Sequence, residues 1–296
     1  MLSRLDATAI VVAHDSEGVL PACLAALDRD RVPTLVVDNA SADRSAAVAE
    51  EHACAVLRIA QNEGYGRAAN LGARACETAF ILIMNPDIVL DAGAVPALLE
   101  AAERYPDAGL LAPRIVEPDG RFFFQPRSLL APYLSNPGGK LALPEGDCCA
   151  PFLSGACCLV RRDLFLRLGG FDPNIFLFYE DDDLCRRIAD AGHALVHVHG
   201  AIARHARGAS SAAKPGRIFR ARWHQAWSRA YVSRKYGLPN PAARMLVLNA
   251  VKTMLALFSV RRSVVERYAG SAAGALASLV GRTALGREGL AREDAR

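Results

Sequence analysis

Apolar positions in the first two hundred residues recur in two alternating periods. Ala9-Ile-Val-Val-Ala13 is a continuous apolar, β-branched run suited to a strand buried on both faces. Val19 to Leu27 then reads as a helix with Pro21 near its first turn, where a missing N–H costs nothing. Thr34 to Val37 is the next strand. Asn39 to Asp43 supplies two helix N-cap candidates ahead of an Ala-rich helix that ends near Ala53. Ala55 to Ile59 and Phe80 to Met84 read as strands, and Arg67 to Thr78 and Ala94 to Arg104 as helices. Strand and helix repeated at this spacing predict an α/β fold: a mostly parallel central sheet flanked by helices, with ligands at the carboxyl ends of its strands.

The pattern degrades from Pro113 to Pro151 into Pro- and Gly-rich segments, read as an excursion over a site or a surface insertion. It returns with a strand at Phe152 to Val160, a helix at Arg162 to Leu168 broken by Gly169-Gly170, a helix from the acidic run Glu180 to Asp183 as far as Ala191, and a strand at Ala194 to Val198. Beyond Ser211 the character changes. Ile218 to Tyr236 is a helix carrying Trp223, Trp227 and Tyr231 at four-residue steps. Ala242 to Val260 is a second, with Leu246, Val247, Ala250, Val251, Met254, Leu257 and Phe258 on one apolar half and Arg244, Asn249, Lys252 and Ser259 on the other. The division is a body over residues 1–211 and a C-terminal helical extension over 212–296.

Composition adds bounds. A chain of 296 residues, 52% hydrophobic and 22% charged, is globular and not disordered or collagen-like. The net charge of +4 conceals two opposite halves: 17 Lys and Arg against 27 Asp and Glu up to residue 199, and 18 against 4 from residue 200 onward. Such an acidic body suits cation handling, and the basic tail an anionic partner. Met1 to Asp6 leads directly into the first strand without a signal-peptide pattern, so a cytoplasmic location is expected. Met245 to Val260 is too interrupted by Asn249, Lys252 and Thr253 to span a membrane. The cysteine pairs Cys148-Cys149 and Cys157-Cys158 lack the spacing of a zinc site and read as reduced thiols.

Acidic residues fall at strand ends: Asp38 after Leu35-Val-Val37, Asp87 within Asn85-Pro86-Asp87, and Glu180 to Asp183 at a helix start. Together they suggest Mg2+ or Mn2+ chemistry, since these ions prefer oxygen ligands and bridge phosphates. Singly, each also reads as a turn residue or a helix cap.

Order and context add more. Leu35-Val-Val-Asp38-Asn-Ala-Ser41-Ala-Asp43-Arg-Ser45, Asn62-Glu-Gly64-Tyr-Gly66-Arg-Ala-Ala-Asn70-Leu-Gly72 and Asn85-Pro-Asp87 follow one another. Ser154-Gly155-Ala156, Gly169-Gly-Phe-Asp172, Glu180-Asp181-Asp-Asp183-Leu-Cys185-Arg-Arg187 and Arg204-His205 come after them. This series resembles the blocks of family 2 glycosyltransferases with the GT-A fold, a Rossmann-like architecture, and within them the rhamnosyltransferase-like branch. The resemblance implies an inverting, metal-dependent transfer of a sugar from a nucleoside-diphosphate donor, dTDP- or UDP-linked, to a glycan or polyprenyl-diphosphate-linked acceptor. It assigns Asp38 to the nucleobase, and Asn62, Gly64 and Asn70 to the nucleotide pocket. Asp87 and His205 would hold the metal, with Asn85 as an aid. Asp181 would be the catalytic base, Ser154 a small residue near the bound sugar, and Glu180 and Asp183 would hold the acceptor or cap the helix. Asp182 is expected to be solvated. The chain departs from the family's pattern at Ala13-His14-Asp15, where Thr-Tyr-Asn is common, and at Asn85, where a first Asp is usual.

For the tail, the aromatic stripe, the apolar half-helix and the arginines together suggest an anionic membrane surface, hence a peripheral seat at the inner face of the cell membrane. The competing reading packs these helices on the body or in a homodimer. Nucleic acid is disfavoured by the acidic body. Other function classes are an inactive nucleotide-sugar binder and a nucleotidyltransferase; a Rossmann dehydrogenase would need a G-x-G-x-x-G after a strand.

Overall fold

The computed structural model describes residues 6–124, 129–130, 143–206, 215–259 and 261–291. The first half runs β1 (Ala7–Ala13), α1 (Leu20–Arg29), β2 (Thr34–Asp38), α2 (Ser45–Glu51), β3 (Ala55–Arg58), α3 (Tyr65–Ala75), β4 (Phe80–Met84), β5 (Ile88–Leu90), α4 (Ala94–Arg104) and β6 (Ala108–Val116). Next come β7 (Phe122–Phe123), β8 (Cys148–Cys149), β9 (Cys157–Arg161), α5 (Arg162–Arg167), α6 (Glu180–Asp190) and β10 (Ala194–His205). The tail holds α7 (Arg217–Lys235), α8 (Ala242–Ala256), α9 (Arg262–Leu279) and α10 (Ala284–Arg287). The boundary expected at residue 211, and Asn136 to Gly139 of the expected excursion, lie outside the described residues.

One sheet runs in the order β3-β2-β1-β4-β9-β6-β10-β5. β1 to β4 are parallel, and β10 is parallel to β6, as the alternation of strand and helix predicts. β9 is antiparallel between β4 and β6, and β5 is antiparallel to β10. Alternate side chains enter two separate cores: Ala9, Val11 and Ala13 face one, Ile10 and Val12 the other. Cys157 and Cys158 divide in the same way, and burial pushes both thiols far above their usual range. The parallel strands thus end together at one edge, where their connecting loops carry the polar residues.

The tail departs from expectation in two ways. The aromatic stripe proposed for a lipid surface is buried: Trp223 and Trp227 pack with Phe176 of the body and with Ala277, Leu285 and Leu290 of the tail. Satisfying apolar rings inside the protein removes them from any membrane role. Residues Arg262–Leu279 form a helix that glycines obscure in the sequence; a Cβ at Gly270 would stand 2.4 Å from the Phe219 carbonyl oxygen, and one at Gly274 2.1 Å from that of Trp223. Those glycines let α7 and α9 touch backbone to backbone.

Candidate active site

The ends of β1, β2 and β4 open onto a cavity of about 440 Å³. His14, Asp15, Asn39 and Asn85 line it from the sheet, Asn62, Gly64 and Tyr65 from the loop into α3, and Phe176 and Leu177 from the segment before α6. Arg217, Arg220 and His224 of α7 form the remaining wall. The tail therefore contributes to the cavity, which the sequence did not suggest.

The sheet-side loops are fixed by Asn39. Its amide donates to Asn62 Oδ1 at 3.1 Å and to the Gly64 carbonyl at 3.3 Å, while its Oδ1 accepts the Glu63 N–H at 2.8 Å. Gly64 has φ 84°, and a Cβ there would stand 2.3 Å from the Phe176 carbonyl oxygen, so only glycine lets the loop lie against the opposite wall. Asn39 was not singled out, although it adjoins Asp38. Asp38 itself is buried, accepts the Ser41 N–H at 3.2 Å, and is not among the cavity's lining residues. His14 donates through Nδ1 to the Asn39 carbonyl at 3.0 Å, and Asp15, at φ 52°, accepts the Ala42 N–H.

Asn70 also lies away from the cavity. Its amide pairs with the Phe171 backbone in both directions, each bond 2.8 Å, and so ties α3 to the loop that leads to Phe176 and α6. Ser154 accepts the Ala156 N–H and lines a small second cavity with Phe152 and His197.

Asp87 and His205, far apart in the chain, meet because β5 turns back after Asn85-Pro86-Asp87 and pairs with the end of β10, Ile88 opposite His205. His205 Nε2 stands 3.3 Å from Asp87 Oδ1, and the Ala206 N–H donates to the Asp87 carbonyl. Asp87 Oδ1 and His205 Nδ1 are both buried without a hydrogen bond among the described residues. A buried, unsatisfied carboxylate oxygen beside an imidazole fits a divalent cation whose other ligands come from outside the protein. No group of three or more His, Cys, Asp or Glu side chains that could hold a metal occurs among the described residues.

The four acids of α6 divide sharply. Asp183 is fully buried and held by Arg187 at 2.7 Å, Lys235 at 2.5 Å and the Tyr236 hydroxyl at 2.9 Å. Its carboxylate docks α7 on the body instead of holding an acceptor. Asp182, expected in solvent, is buried and accepts the Leu129 N–H at 2.8 Å, a contact from a segment 53 residues earlier in the chain. Asp181 accepts N–H groups from Gly155 at 3.2 Å and from Asp182 at 3.0 Å. The carbonyl of Gly155 in turn accepts the hydroxyl of Tyr65, a cavity residue, at 2.8 Å. Asp181 is thus two hydrogen bonds from the cavity wall. Burial raises its carboxyl above the usual range, and burial with the neighbouring Asp181 charge pushes Glu180 up to about 8. Glu180 Oε2 is buried without a partner among the described residues.

On the α7 wall, Arg220 and His224 Nε2 both donate to Glu288, at 2.6 and 2.8 Å. Burial would raise the Glu288 carboxyl, but the bonds from His224 and Arg220 outweigh it and hold it at about 2. His224 is lowered by its own burial and stacks on Phe176 at 4.6 Å. The C-terminal turn thereby braces the cavity wall.

Residues 8–169 match the model of Glycosyl transferase family 2. An N-acetylglucosaminyl-diphospho-decaprenol L-rhamnosyltransferase of Mycobacterium tuberculosis (strain ATCC 25618 / H37Rv) is 32% identical over 238 residues, 67% of this chain and 78% of that protein. Among solved structures, the mannosyltransferase PcManGT of Pyrobaculum calidifontis, in complex with GDP-Man and Mn2+, superposes with a TM-score of 0.56 at 18% identity, over 94% of this chain and 88% of that one. S. aureus TarS 1-349 in complex with UDP gives 0.52 at 13% identity, over 93% and 92%. The two superpositions extend the fold likeness through the tail.

Proposed function

The chain belongs to glycosyl transferase family 2 and is a glycosyltransferase of GT-A fold, and from that premise we propose an inverting, divalent-cation-dependent transfer of a sugar from a dTDP- or UDP-linked donor. By analogy with the mycobacterial relative, the sugar is rhamnose and the acceptor a polyprenyl-diphosphate-linked glycan of cell-surface polysaccharide synthesis. The observation that carries this reading is the buried Asp87–His205 pair, directly after Asn85 and Pro86 of a cavity whose Tyr65 reaches Asp181 through two hydrogen bonds.

The donor's nucleoside is assigned to the loops fixed by Asn39; Asp38, buried and outside that lining, is assigned to the base imide N–H by the family resemblance alone. Asn62 and Gly64 bring backbone close to it. Asp87 and His205 would hold Mg2+ or Mn2+, with Asn85 beside them. When bound, such a cation supplies Lewis-acid stabilisation to the departing diphosphate. Arg217 and Arg220 bring positive charge to the same cavity from α7.

Asp181 takes the proton of the acceptor hydroxyl as that oxygen bonds to the anomeric carbon and the carbon–oxygen bond to diphosphate breaks on the opposite face. A raised carboxyl suits this base. Burial raises both carboxyls of the adjoining pair, Glu180 up to about 8. Gly155 lies directly against Asp181, where a Cβ would stand 3.0 Å from the Asp181 Cβ, and Ser154 beside it is assigned to the acceptor sugar.

A peripheral seat at the inner face of the cell membrane completes the reading. Its support is the cationic excess of the tail, 18 Lys and Arg against 4 Asp and Glu from residue 200 onward. Among the described residues no helix is long and apolar enough to cross a membrane.

The test is to incubate purified protein with Mn2+ or Mg2+, a panel of UDP-, dTDP- and GDP-sugars, and membrane lipid extract. Release of nucleoside diphosphate from a dTDP- or UDP-sugar is expected; release from no donor contradicts the proposal.

A further inference from the structure

α8 is inverted relative to an ordinary surface helix. Toward the protein it turns Ala242, Asn249, Thr253 and Ala256; the Asn249 amide and Thr253 hydroxyl bond back to carbonyls of their own helix, both at 2.7 Å. Toward solvent it turns Val247 (63% exposed), Val251 (54%), Met254 (63%), Leu255 (65%) and, just past its end, Phe258 (87%). At 100° per residue these five fall within about 100° of arc, a continuous apolar stripe. The sequence predicted an apolar half for this helix, and the structure leaves that half uncovered. An exposed apolar stripe of this extent marks a surface that meets something.

The charge around it selects the partner. From residue 242 to 279 the chain carries Arg244, Lys252, Arg261, Arg262 and Arg267 against Glu266 alone. All five cations are exposed, and Arg261 and Arg262 follow Phe258 closely at the end of the stripe. A second copy docked through this face would set the same cations against themselves, since a two-fold contact pairs a patch with its own image. An anionic headgroup layer neutralises them while its acyl boundary takes the apolar side chains.

We propose that the outward face of α8, Val247 to Phe258, is the surface by which the protein lies on an anionic phospholipid bilayer, α8 parallel to the membrane and the arginines after it at headgroup level. The proposal rests on the peripheral membrane reading and sharpens it, since the aromatic stripe of α7 is buried and takes no part.

The experiment is co-sedimentation of the full chain with vesicles rich in phosphatidylglycerol, against pure phosphatidylcholine. Wild-type protein is expected to pellet with the anionic vesicles only. The double variant Val251→Glu/Phe258→Glu is expected to bind about tenfold more weakly with unchanged donor-dependent release of nucleoside diphosphate. Phe258→Trp, which keeps the face apolar, is expected to bind normally and to show emission quenched by brominated lipid, whereas Trp223 and Trp227, both buried, stay unquenched in the wild type. Wild-type protein left in the supernatant overturns both this proposal and the membrane reading. Wild-type binding that the double variant shares, with Phe258→Trp unquenched, overturns the α8 face and leaves the membrane reading standing. A homodimer that Val251→Glu dissolves assigns the face to a second copy and overturns the proposal.

Discussion

Asp87 Oδ1 lies 3.3 Å from His205 Nε2, although the two are 118 positions apart in the chain. The short strand β5, which follows Asp87 at once, pairs antiparallel with the last residues of β10 and sets the carboxylate and the imidazole side by side. A one-residue slip in that pairing would turn His205 to the other face of the sheet. The local structure after Asn85-Pro86-Asp87 is therefore part of the site.

If this pair holds the cation, removing either side chain weakens the cation and leaves the fold. His205→Ala and Asp87→Asn should each raise the Mn2+ concentration needed for half-maximal activity by about tenfold or more, on the scale seen for metal-shell lesions. Titration of nucleoside diphosphate release with Mn2+ checks this, with circular dichroism as the folding control. An unchanged Mn2+ dependence in both variants contradicts the assignment.

Glu180 makes stability depend on pH in a defined direction. Its carboxyl titrates at about 8 in the folded chain, against 4.5 for an unperturbed glutamate, so raising the pH through this window ionises the unfolded state first. The stability tied to this group is whole below 4.5 and is lost as pH rises toward 8. Glu180→Gln removes that loss. Thermal melts should show the variant gaining on the wild type from about pH 5 to about pH 8, and parallel curves would contradict the burial of an unpaired carboxyl.

Glu288 behaves in the opposite sense. Held at about 2 in the folded chain, it lends stability that is full above 4.5 and is lost as pH falls toward 2. Glu288→Gln should melt below the wild type at neutral pH, with the gap closing on acidification. Arg220→Ala tests the same wall from the cavity side: the donor KM should rise about tenfold, the scale of one charge-assisted hydrogen bond, with kcat less affected. An unchanged KM would take Arg220 out of the donor site.

The two tryptophans report on the tail, because both are buried where α7 meets α9. Gly274→Val forces a side chain against the Trp223 carbonyl. A loss of about 2 kcal/mol or more is expected, with tryptophan emission shifted to the red. Wild-type emission and melting temperature would mean that the close approach is not needed.

The body was legible because its central strands β1 and β4 are buried on both faces and its helices carry apolar stripes, so period and length separate them. β10 was read as ending at Val198 and runs to His205. His199-Gly200 and a register shift between Val198 and Ile202 interrupt the strand's pattern there; within it, His197 is buried against Phe122 and Phe124, and burial lowers it to about 4, so it sits in the sheet as a neutral ring. The acids of α6 show what sequence cannot sort. Four adjacent carboxylates look alike in a string, yet Arg187 and Lys235 claim Asp183, the Leu129 N–H claims Asp182, the Gly155 and Asp182 N–H groups claim Asp181, and Glu180 Oε2 is left buried without a hydrogen bond among the described residues. Asn39 escaped notice for a related reason, since its work is done by amide bonds to a loop 23 to 25 residues away. The α7 wall was hidden because Arg217, Arg220 and His224 sit in a helix whose aromatic residues drew the eye toward a membrane.

The most direct test of the account is the rate of nucleoside diphosphate release by Asp181→Asn with an accepted donor and acceptor, measured beside donor binding by calorimetry. The account predicts a fall in rate of about a thousandfold, the scale of a lost general base, with donor affinity preserved. A variant that turns over at the wild-type rate would contradict Asp181 as the base and, with it, the mechanism proposed for this cleft.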